Sequence, residues 1–85
     1  MGHRDLQHAV ELLAAGDWNG AHKIVQDDSS ALAAWLHGIV HTLEGDLDNA
    51  RYWYGQGGRT FRGRDAVRDE IAAAQRAVAE HADDG

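Results

Sequence analysis

Apolar side chains at the start of the chain return at helical intervals. Leu6, Val10 and Leu13 stand at i, i+4 and i+7, with Ala9 and Leu12 widening the stripe, and this period predicts a helix with one face in a core. Gly16 predicts its stop, because glycine adopts the left-handed cap conformation at least cost. Asp17 follows as an N-cap for a second helix, whose apolar side is Trp18, Ala21, Ile24 and Val25. Asp27-Asp28-Ser29-Ser30 reads as a turn ending in a capping serine. A third helix is expected from about Ala31 to Glu44, with Leu32, Trp35 or Leu36, Ile39 and Leu43 on one face. Gly45-Asp46 repeats the stop and start, and a fourth helix from Leu47 carries Ala50, Tyr52, Trp53 and Tyr54. Glycines at 55, 57, 58 and 63 predict a loop over 55–64 anchored by Phe61. From Asp65 the last helix shows Val67, Ile71, Ala74 and Val78 at i, i+4, i+7 and i+11. No β-branched alternating run occurs, so no strand is expected. The prediction is an all-α fold of about five helices in one small domain over 1–85. It comprises a hairpin at about 5–27, a second at about 31–57 and a capping helix at about 65–82.

The two turns belong to an internal repeat. Leu12 to Val25 and His41 to Tyr54 both place Gly-Asp between helical patterns, with Ala four residues after the Asp. A helix–turn–helix unit used twice is the signature of an α-solenoid. Gly38, His41, Gly45-Asp46, Leu47, Ala50, Tyr54 and Gly57 resemble the offsets of a tetratricopeptide repeat. Ala9, Leu12, Gly16-Asp17, Trp18, Ala21 and Val25 follow them more loosely, and the turns are 29 residues apart against a usual spacing of about 34. That resemblance implies two tetratricopeptide-like hairpins in a right-handed stack, with Trp35 lining the concave face. The stretch from Trp18 to Arg59 also resembles a family of small uncharacterised bacterial and fungal proteins. Its elements here are W-x2-A-H-x-I-V-Q, A-W-L-H-x3-H and E-G-D-x2-N-A-x-Y-W-Y. This second resemblance implies no activity, but makes His22, Gln26, His37 and His41 part of a shared design.

Composition narrows the functions. Eight Lys and Arg against 14 Asp and Glu give a formal charge of −6, which argues against general affinity for nucleic-acid phosphates or anionic membrane. Without cysteine, disulfides, thiolate zinc sites and cysteine nucleophiles are excluded. The longest apolar run, Ala31 to Leu36, is far short of the roughly 20 residues of a bilayer span. No signal-peptide core follows the first residues, so a cytoplasmic location is expected. Charge is also uneven. Residues 1–50 hold two basic and eight acidic side chains, whereas Arg51, Arg59, Arg62 and Arg64 leave 51–64 with four positives and no acid. Such a cluster suits an acidic partner segment or a phosphate, or pairs with acids of neighbouring helices.

Six histidines in 85 residues are the most unusual feature. His37 and His41, at i and i+4, share one helix face and can share one metal. Glu44 lies a further turn along, and stacking of the hairpins would bring His22 to the same place. His22, His37, His41 and Glu44 are therefore a candidate three-histidine, one-carboxylate set for a transition metal such as zinc. The other reading is of buried histidines bonded to a backbone carbonyl, Gln26 or an acid. His37-Gly-Ile-Val-His41 lacks the glutamate of the zinc-protease helix, and Asp46 to Ala50 lacks the glycine of a calcium loop. His3, His8 and His81 lie near the ends and are expected to face solvent. No base is placed to activate Ser29, Ser30, Thr42 or Thr60, so catalysis has little support.

The leading expectation is a non-enzymatic interaction module without a cofactor, binding a peptide or partner protein. Its groove would be lined by Trp35, Ile39 and Leu43, with Tyr52 and Trp53 as aromatic anchors and Arg51, Arg59 and Arg62 orienting the partner. A small metal- or ligand-binding protein built on His22, His37 and His41 is the alternative. Homodimerisation is a further possibility, since a two-repeat stack exposes its ends.

Overall fold

In a computed structural model the backbone is described over residues 3–83 and the side chains over residues 5–80. The described residues form five α-helices and no strand. They are α1 (His3–Ala14), α2 (Trp18–Val25), α3 (Ala31–Glu44), α4 (Leu47–Gln56) and α5 (Val67–Asp83), the last preceded by a 3₁₀ turn at Arg64–Ala66. The expected side-chain exposure of His3 and His81 lies outside the described residues.

Local chemistry sets the boundaries. Asp17 Oδ1 accepts a hydrogen bond from the Gly20 amide at 3.0 Å and starts α2. Ser30 Oγ accepts from the Ala33 amide at 3.1 Å and starts α3. Gly45 ends α3 in the left-handed region, φ 98°, and its amide donates back to the His41 and Thr42 carbonyls. Asp46 then caps α4 by accepting from the Asn49 amide. Each cap satisfies backbone groups that a helix end leaves without partners.

Consecutive helices pack on one another from α1 to α4, and α5 returns against α1 and α3. That return makes α3 the central element. Every residue from Ala33 to Thr42 is buried, whereas the sequence pattern promised one apolar face. The core joins Leu6, Val10 and Leu13 of α1 to Val25, Trp35, Leu36, Ile39, Tyr54, Ile71 and Val78. Gly38 lets α4 approach α3 closely, because a Cβ there would run into the Tyr54 ring and the Ala50 carbonyl oxygen. Among the described residues no helix is long and apolar enough to cross a membrane.

The groove expected at Trp35, Ile39 and Leu43 is not open. Trp35 is 1% exposed and Ile39 fully buried, while Leu43 is half-buried against the same core. The reason is α5, whose Ile71, Ala74 and Val78 belong to that core and whose Glu70 reaches Trp35. The Trp35 indole N–H donates to Glu70 Oε1 at 3.1 Å.

Candidate metal centre

Packing of α2 on α3 gathers three imidazoles. Ala21 and Val25 of α2 face the core, so His22, one step round from Ala21, emerges at the α2–α3 seam and stays half-buried. His37 and His41 lie one turn apart on the central helix, 6% and 9% exposed. Ring centroids are 4.8 Å apart for His22–His37, 5.0 Å for His37–His41 and 5.7 Å for His22–His41. One nitrogen of each can be chosen so that all three lie within 4.8 Å of one another.

Two neighbours complete the site. The Trp53 ring of α4 lies flat on His37, with centroids 4.0 Å apart and planes 6° from parallel. Glu44 Oε1 is 2.8 Å from His41 Nδ1. An ionised carboxylate only accepts, so in this contact His41 Nδ1–H is the donor. A carboxylate behind a histidine in this way fixes the tautomer and raises ligand basicity. Glu44, expected as a fourth ligand, is not among the side chains whose ligand atoms lie within 4.8 Å of one another in the three-imidazole group. With His41 and Asp46 it forms a second close group, but that Asp46 is exposed and already accepts from Asn49 as the α4 cap.

Among the described residues, His41 is the only one of the three with a side-chain hydrogen-bond partner. His22 and His37 thus differ from the buried histidine that is satisfied by a carbonyl, Gln26 or an acid. Burial pushes the His37 imidazole down to about 4, and the neighbouring His22 and His41 add to the effect. At neutral pH His37 is uncharged and keeps a lone pair on one nitrogen.

The residues expected to bind a partner fall in separate places. Trp35 and Ile39 are core, and Trp53 is committed to His37. Arg59 stacks over the Trp35 ring, 3.5 Å from its centroid. Arg62 donates to Glu70 Oε2 at 2.6 Å. The arginines at 59 and 62 therefore serve their own chain, as positive loops with acidic neighbours commonly do. Tyr52, 56% exposed, and the exposed Arg51, which lies over the Phe61 ring and 3.9 Å from Asp48, stand together on α4. His8 faces solvent as expected.

Sequence reasoning missed Glu70, a carboxylate only 7% exposed. Burial alone would raise its pKa, but hydrogen bonds from Arg62 and Trp35 outweigh that and hold it below the usual carboxylate range. The available signal was its place one turn from Val67 and Ala74 and beside Ile71, on the apolar side of the last helix. The Trp53–His37 stack was equally unforeseen, since the repeat offset singles out Tyr54 for the core and nothing in the sequence says that Trp53 also lies against α3. No family model, curated protein or solved structure matches this chain.

Proposed function

We propose that this chain is a small helical metal-binding protein that holds one transition-metal ion, best matched by zinc, on His22, His37 and His41. The observation that carries the proposal is the convergence of three imidazole nitrogens within 4.8 Å at the α2–α3 seam. Neutral imidazole suits zinc, copper, nickel and iron, and zinc takes nitrogen ligands in tetrahedral sites. Zinc–nitrogen bonds of about 2.0 Å put ligating nitrogens about 3.3 Å apart, so loading draws the rings together by small side-chain rotations. His22, half-buried on a short helix, has the most freedom to move. Two tetratricopeptide-like hairpins, α1–α2 and α3–α4, form the scaffold in this reading.

The test is elemental analysis of untagged protein with zinc titration of the wild type, His22→Ala and the His37→Ala, His41→Ala pair. The wild type should bind zinc near one equivalent, and both variants should lose it. Wild-type protein that stays metal-free after incubation with zinc, copper, nickel and iron would sink the proposal. A peptide-binding role keeps one specific support, the exposed Tyr52 beside Arg51 on α4. On that reading Tyr52→Ala would weaken partner binding and leave zinc binding unchanged.

A further inference from the structure

Resting on that reading, we infer that the ion held by His22, His37 and His41 keeps one coordination position open to solvent and takes a small exogenous anion there. The ligand count comes first. Among the described residues the group closes at three nitrogens, with no fourth histidine or carboxylate in it, and the chain has no cysteine. Glu44, the nearest carboxylate in the sequence pattern, is engaged with His41 Nδ1 at 2.8 Å and stands outside that group. Structural zinc sites fill all four positions from the protein, whereas three protein ligands leave a place for an outside molecule.

Direction follows from burial. Trp53 covers His37, and α3 is buried along its length at this level. His22 alone of the three ligands is half-buried, so the unfilled position opens along the α2 side. Charge then selects the class of ligand. Three neutral imidazoles leave a divalent ion uncompensated except for Glu44 behind His41. A small monoanion lowers that charge without adding bulk beside two packed helices.

Cobalt(II) and azide read the two claims separately. Wild-type protein is loaded with cobalt(II) chloride, its visible bands and its mass in solution are recorded, and sodium azide is titrated in. The expected result is one cobalt per monomeric chain, with bands that shift saturably on azide addition. Cobalt bands that ignore azide would overturn this inference and leave the metal-binding reading standing. A cobalt-linked dimer would do the same, because a second copy would then fill the fourth position. Cobalt bound no more tightly by the wild type than by His22→Ala would overturn both.

Discussion

Glu44 touches one imidazole, at His41 Nδ1, 2.8 Å away. Removing its charge while keeping its shape, Glu44→Gln, should lower zinc affinity by about 10- to 100-fold. The side chain is partly exposed, so the metal-free protein should unfold at nearly the wild-type temperature. A competition titration with a chromophoric chelator, beside a thermal melt, distinguishes the two effects. Equal zinc affinity in both proteins would remove Glu44 from the site. Glu70 makes a different prediction. Its carboxyl is held below the ordinary range in the folded chain, so the ionised form stabilises the fold. That stability is present above the unfolded value of about 4.3 and is lost as pH falls through the lower folded value. Urea unfolding below pH 5 should therefore show a steep loss in the wild type and a flatter one in Glu70→Gln. Parallel slopes would contradict the assignment. The sequence makes His37 and His41 legible because i and i+4 fix a shared face, whatever the surroundings. His22 became legible only through an assumed stacking, and Glu70 was hidden because an acid among apolar neighbours reads by default as solvated.

At the scale of elements, the helix ends were the most legible part of the fold. Gly16-Asp17, Ser30 and Gly45-Asp46 act through caps that depend on three or four residues, so no tertiary knowledge is needed to place them. The role of α3 was less legible. Its stripe of Leu32, Trp35, Ile39 and Leu43 suggested an amphipathic helix with one face free for a partner, but α5 covers that face and α2 and α4 cover the rest. A sequence pattern reports which side of a helix is apolar and does not say what lies against it. The small residues of α3 decide how closely its neighbours approach. Gly38→Ala would push Tyr54 and the α4 backbone away from α3, which should destabilise the protein by about 1–3 kcal/mol. The same displacement lifts Trp53 from His37, so chemical denaturation and zinc titration of this variant should both change. An unchanged denaturation midpoint would show that α4 accommodates the methyl group.

For the whole molecule, the proposed metal binding would be coupled to folding, because the three histidines come from two helices, α2 and α3, and meet only when those helices pack. Zinc at about 100 times its dissociation constant should stabilise the folded state by about 2.7 kcal/mol, a rise of about 10–20 °C in melting temperature for a domain of this size. The His37→Ala, His41→Ala pair should show no such rise, and an equal rise in that variant would place the ion elsewhere. The seam between α2 and α3 has one more consequence. An ion tying His22 to His37 would close a loop of 16 residues through the Asp27–Ser30 turn, and a cross-link of that span, for as long as it holds, restricts the chain by about 3 kcal/mol in the chain-entropy model. A protein without cysteine would thus carry a staple that a chelator opens and a reductant does not, so its stability would follow metal supply and be indifferent to the thiol–disulfide balance around it.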